Sequence, residues 1–183
     1  MTANLTVSVD FQMERFMSAA DAVLERDQPF SNISVAALVP ALLAGSAATV
    51  AFDLFGQALS PLAGFAKLAP VGLADATIKA LFGASLPGAG YLLHMLVGLI
   101  SYPLGWLLVA RPLAARLAPS MPEWLVAAAY GIGLWIFALF GMAHLLVGMP
   151  AFLGFTGITW VALAGHVIYA LAFVASLKWL IRN

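Results

Sequence analysis

Four long apolar runs leave this chain few ways to fold. They cover residues of about 33–55, 88–110, 123–147 and 156–180, and charged side chains are almost absent from them. Each reaches the roughly 20 residues needed to cross a hydrocarbon layer about 30 Å thick. Inside lipid no water can satisfy a free N–H or C=O, so each run must close its own hydrogen bonds as a helix. Composition agrees, with 63% of residues hydrophobic, 9% charged and a mean hydropathy of +1.01. A soluble domain carries about a quarter charged residues. The expectation is an all-α integral membrane four-helix bundle over 33–183, preceded by a separate leader over 1–32. Pro40 and Pro103 fall inside runs and are predicted to bend their helices.

The same composition excludes several functions. A formal net charge of +0 offers no basic face for nucleic acid. The absence of cysteine removes disulfides, thiolate metal sites and thioether-linked haem. No basic stretch followed by an apolar core opens the chain, so no cleaved signal peptide is expected. No phosphate-binding glycine loop, nucleophile triad or intramembrane carboxylate pair is present, and no enzymatic activity is expected.

Lys and Arg set the orientation. Arg15, Arg26, Arg111, Arg116, Lys178 and Arg182 share one side of a four-span protein, and only Lys67 and Lys79 lie on the other. Positive charge stays inside, which predicts a bacterial inner (cytoplasmic) membrane protein with both termini cytoplasmic. Trp106, Trp124 and Trp179 fall near the same ends, as an interfacial aromatic belt would. Between the first two runs, VGLADATIKALFG places Ala74, Ile78, Leu81 and Phe82 on one helical face. Asp75 and Lys79 fall opposite, as an i,i+4 pair. This segment is predicted to lie in the periplasmic interface.

The leader differs in kind. Met13, Phe16, Met17, Ala20, Val23 and Leu24 form one helical stripe, flanked by Asp10, Glu14, Asp21, Glu25 and Asp27. A helix that binds anionic headgroups is normally rich in Lys and Arg. An acidic one suits packing back on its own bundle, docking, through residues 10–27, on other membrane-protein subunits, or a free tail.

The only histidines, His94, His144 and His166, fall in three different runs. Counted from the cytoplasmic ends at about 1.5 Å per residue, Asp53 stands about 29 Å up, His144 about 30 Å, His94 about 24 Å and His166 about 18 Å. Their same-face neighbours are mostly small. Gly90, Gly98 and Ser101 flank His94; Phe137, Gly141 and Gly148 accompany His144; Ala162, Tyr169 and Ala170 accompany His166. Small residues mark faces where membrane helices approach closely, so the histidines are expected to look into the bundle.

Several chemistries fit such an inward ladder of His94, His144, His166 and Tyr169, with Asp53 as a polar partner. An imidazole on a facing helix can ligate a haem or a chlorin pigment. His with Asp can hold a divalent metal or relay protons and bind a quinone. The reading that needs no cofactor, in which each His hydrogen-bonds a neighbouring helix, leads. Functionally the chain is expected to be a non-catalytic accessory or assembly subunit of a larger bacterial membrane complex, in electron transport or photosynthesis. The alternative is a small membrane protein that binds a cofactor, quinone or ion through the histidines.

The C-terminal half carries a Gly133-Leu134 opening with Trp135 and Ile136, a Met149-Pro150 corner followed by Gly154 and Gly157, and His166-Val167-Ile168-Tyr169 in the last run. In these features it resembles uncharacterised bacterial four-helix inner-membrane proteins of the YagU-like type. Trp135 stands one place earlier than in that pattern, and Ala170 replaces a glycine after the tyrosine. The resemblance implies a four-helix membrane bundle and supplies no chemistry.

Overall fold

A computed structural model of the chain describes residues 35–182. The acidic leader, its expected helix and its docking role lie outside the described residues. Helix α1 runs from Val35 to Asp53 and continues through a widened turn, Leu54–Leu59, to Leu62. The short helix α2 is Pro70–Phe82, α3 is Ala89–Leu117, α4 is Glu123–Leu146 and α5 is Gly157–Arg182. Among the described residues there is no strand. Helices α1, α3, α4 and α5 are each long and apolar enough to cross a membrane, and the protein is a multi-pass, all-α membrane bundle.

The packing is that of a protein whose solvent is lipid. On α1 the buried positions are Ala41, Ala44 and Ala48, while Leu43 is 53% exposed and Val50 65%. Water would penalise that arrangement by roughly 25 cal/mol per Å² of apolar surface left outside. In lipid the large side chains face acyl tails at no such cost, and the small ones let helix backbones approach.

Helix α5 is the centre. It packs along both α1 and α4 and buries Val161, Ala162, His166, Tyr169, Ala170, Phe173, Val174 and Leu177. Glycines set its crossings. A Cβ at Gly131 of α4 would stand 2.7 Å from both the His166 carbonyl oxygen and the Val167 Cα. One at Gly45 of α1 would meet the Pro103 ring at 2.8 Å, so α1 and α3 also cross backbone to backbone.

Proline and packing bend the long helices without breaking them. Pro103 has no N–H to give the carbonyl one turn back, and α3 widens to i→i+5 turns over Val97–Ser101 just before it. The helix does not stop at Ala110, where the apolar run ends; it continues to Leu117. Helix α2 lies where the sequence places an interfacial helix and buries Ala74, Thr77 and Ile78. Leu81 and Phe82 stay exposed. Asp75 does not pair with Lys79; its carboxylate sits over Gly90, where a Cβ would collide with it.

The corner between α4 and α5 is a left-handed turn. Phe152, Leu153 and Phe155 have φ of 47°, 53° and 54°, with Gly154 at 70°. Each non-glycine residue there costs about 1–2 kcal/mol. Hydrogen bonds hold it, from the Leu153 N–H to the Pro150 carbonyl at 2.8 Å and from the Thr159 hydroxyl to the Phe152 carbonyl at 2.6 Å. The Trp135 indole N–H donates to the Thr159 carbonyl at 3.1 Å, and its ring lies 4.8 Å from that of Phe152.

Candidate functional site

Helices α3 and α4 do not close on each other as α4 and α5 do. They approach chiefly through the turn Trp106–Ala110 and through the Tyr130 hydroxyl on the Tyr102 carbonyl. The space between them is a cavity of about 1050 Å³. On the α3 side its lining runs from Leu93 to Val109, about 24 Å of helix at 1.5 Å per residue. Phe137, Ala138 and Met142 of α4 face it, and α5 forms the back wall with Ala162, His166 and Tyr169. Helix α2 roofs it through Leu73, Ala74 and Thr77, and the left-handed corner adds Leu153 at the rim. Val109 and Phe137, both lining it, are exposed, so the cleft opens sideways toward lipid.

The wall is apolar except for a small set of groups. His94 on α3 reaches across to α1 and donates from Nε2 to both carboxylate oxygens of Asp53, at 3.1 Å each. Gln57 donates to the same carboxylate at 2.8 Å. This pair satisfies a polar group that would cost several kcal/mol alone in hydrocarbon. His94 lines the cleft and Asp53 stands behind it.

His166 sits deeper and is only 6% exposed. Its Nδ1 lies 2.7 Å from the Ala162 carbonyl. A carbonyl can only accept, so Nδ1 carries the proton, and on a neutral ring Nε2 is a bare acceptor. No described residue donates to Nε2, and the ring lines the cleft. Phe52 meets the His166 ring edge-on at 5.1 Å, and Tyr102 lies 6.3 Å away. Two tyrosines fix this wall in place. The Tyr169 hydroxyl donates to the Gly98 carbonyl at 2.5 Å, and that of Tyr130 to the Tyr102 carbonyl at 2.6 Å.

Of the residues singled out in the sequence, the structure brings His94, His166 and Tyr169 to one cleft and puts Asp53 against His94. His144 stands apart. Its Nδ1 donates to the Met149 carbonyl at 2.7 Å and its ring packs on Phe140 at 5.3 Å, so it closes the end of α4 and does not line the cleft. Phe52, Tyr102 and Tyr130 carry no sequence signal beyond being aromatic inside a span. Among the described residues no group of three or more His, Cys, Asp or Glu side chains is placed to hold a metal ion.

Fold and site together define a multi-pass helical membrane protein with a lateral, mostly apolar cleft. Comparisons with protein-family models, curated proteins and solved structures return no match to this chain. The geometry of the cleft therefore carries the functional reading.

Proposed function

We propose that this protein is a non-catalytic membrane protein that holds one long apolar molecule between α3 and α4. The observation that carries the reading is the cleft itself, about 1050 Å³ in volume and open to lipid. Membrane helices that diverge over such a length lose close packing on both faces unless something fills the gap. A lipid-soluble molecule can enter sideways without crossing water, and the His94 and His166 rings offer its polar end a place to bind. This develops the expectation of a quinone or cofactor held by the histidines and drops His144 from the set.

The orientation belongs to the same proposal. The bacterial inner membrane, with both termini cytoplasmic and α2 periplasmic, is supported by the Lys and Arg distribution. Cysteine labelling at Ala63 is expected to report periplasmic exposure; cytoplasmic labelling overturns the orientation. Membership in a larger electron-transport or photosynthetic complex rests on the leader, and co-purification with and without residues 1–28 tests it.

The binding proposal is tested on the full chain purified in mild detergent. Organic extraction followed by mass spectrometry is expected to release a long-chain apolar compound in near one-to-one ratio to protein. Ser101 faces the cleft and forms no hydrogen bond to a described residue, so Ser101→Phe fills the space without removing a support. Loss of that compound in the variant supports the reading; the same yield from variant and parent overturns it.

A further inference from the structure

The polar atoms of the cleft say which head group it takes. Among the described residues no lysine or arginine lines it, so a phosphate or carboxylate head would be desolvated without a counter-charge, at a cost of several kcal/mol. The Asp53 carboxylate stands behind His94, and it repels an anion further. A cationic head finds no open carboxylate among the described lining residues, because Asp53 already accepts from His94 and Gln57, and neutral heads remain.

Among neutral heads, His166 discriminates by hydrogen-bond polarity. Its Nδ1 proton is committed to the Ala162 carbonyl, and that bond fixes the tautomer. Nε2 therefore offers a lone pair to the cleft and has no proton to donate. A carbonyl oxygen placed there would oppose lone pair to lone pair and leave both acceptors unsatisfied. A hydroxyl donates to it. The flanking Phe52 and Tyr102 rings, 5.1 Å and 6.3 Å from the imidazole, make walls against which a flat ring can lie, and the remaining length accepts an apolar tail.

We propose that the cleft selects a neutral, hydroxyl-bearing head on an apolar tail, and that it takes the quinol form of an isoprenoid quinone in preference to the oxidised form. This rests on the cleft holding a long apolar molecule, as proposed above. His166 is then the specificity-determining acceptor. His94, held by Asp53, lines the same cleft from α3.

Three probes separate the two layers of the argument: decylubiquinol, decylubiquinone and decylbenzene. Each is titrated anaerobically into the full chain at one fixed detergent concentration, with calorimetry as the readout. A buried hydrogen bond made in one complex and left unmade in the other is worth about tenfold in affinity. Decylubiquinol is accordingly expected to bind about tenfold more tightly than decylubiquinone, with decylbenzene weaker than the quinol, and His166→Leu is expected to bring quinol and quinone together. If the quinone binds as tightly as the quinol, or more tightly, while decylbenzene also binds, the head-group inference is overturned and the cleft reading stands. If none of the three binds, the cleft reading itself fails. The ratio measured on the parent protein decides the matter even where His166→Leu does not fold.

Discussion

One side of this bundle is sealed and the other is open, although both are built from the same apolar residues. Where α5 crosses α4 and α1, Gly131 and Gly165 remove the side chains that would hold the backbones apart. Where α3 faces α4, Gly98, Ser101, Gly105 and Ala138 line the gap together with Leu93, Val97, Phe137 and Met142, and a cleft remains. What differs is the contact at the glycine: Gly131 lies against the backbone of His166 and Val167, whereas Gly105 lies against the side chain of Tyr130. In lipid no hydrophobic effect pulls helices together, so a few glycines decide which seam closes and which can admit a guest.

The largest expected effect breaks the sealed side. In Gly131→Leu the new Cβ would lie 2.7 Å from backbone atoms of His166 and Val167, and backbone cannot swing aside as a side-chain tip can. A loss of about 3 kcal/mol or more is expected, seen as collapse of the thermal transition in detergent, with probe binding lost because His166 moves. The control lies on the same helix. Gly133 has nothing within 4 Å of its would-be Cβ, so Gly133→Ala is expected to gain about 0.5–1 kcal/mol from helix propensity. Equal behaviour of the two variants would show that crossings do not distinguish the two sides.

Filling the open side is expected to change binding with little effect on stability. Ser101→Phe should weaken decylubiquinol at least about tenfold, because an added ring in an occupied space costs on the order of 1–3 kcal/mol. The thermal transition is expected to move little, since Ser101 is exposed. A variant that binds normally would place the guest elsewhere.

The contrast between the two sides is also where the sequence stops being informative. The spans could be read because a hydrocarbon layer imposes a run length, and a helix is then obligatory. Helix α3 outran its apolar stretch because Arg111 and Arg116 reach water on long stems while the backbone continues to Leu117. The buried face of α4 differs from the one its residue spacing predicts. A 3.6-residue wheel puts Phe137, Gly141, His144 and Gly148 on it, yet the buried residues are Ala127, Gly131, Leu134, Ala138, Leu139 and Ala143. Phe137–Leu146 has i→i+5 bonding, and each wider turn rotates the later residues away from the 3.6 register. Counting residues puts Asp53 about one turn above His94, yet the two side chains meet at 3.1 Å, because that α1 and α3 are neighbours is a fact of tertiary packing. Tyr102 carries no signal of its own, because beside Pro103 it reads only as part of a bend.

A smaller effect is expected at the joint between the two sides. The Tyr169 hydroxyl ties α5 to the Gly98 carbonyl of α3 at 2.5 Å. Tyr169→Phe keeps the ring, which stacks on Phe173 and lies edge-on to Tyr102, and removes only that bond. Interhelical hydrogen bonds in membranes average about 0.6 kcal/mol and reach about 1.7 kcal/mol. About 1 kcal/mol is expected here in a denaturant titration, and a loss above about 3 kcal/mol would mean that the bond carries the seam between α3 and α5.

The smallest effect is expected at the end of the sealed side. Lys178 near the end of α5 meets Glu123 at the start of α4 at 2.5 Å, and their side chains are 56% and 36% exposed. Both sit where water screens them and both lose rotamer freedom to keep the geometry, so exposed pairs of this kind contribute about 0–1 kcal/mol. Glu123 also lies in the first turn of α4, where the unpaired N–H groups favour a negative charge whether or not a lysine is near. Lys178→Met removes one partner and leaves that second support in place. The expected loss is therefore below about 0.5 kcal/mol at low salt, fading further in 1 M salt as the screening length shrinks to about 3 Å. A loss above about 1.5 kcal/mol that persists in salt would mean that this pair, and not the glycine crossings, closes the seam between α4 and α5.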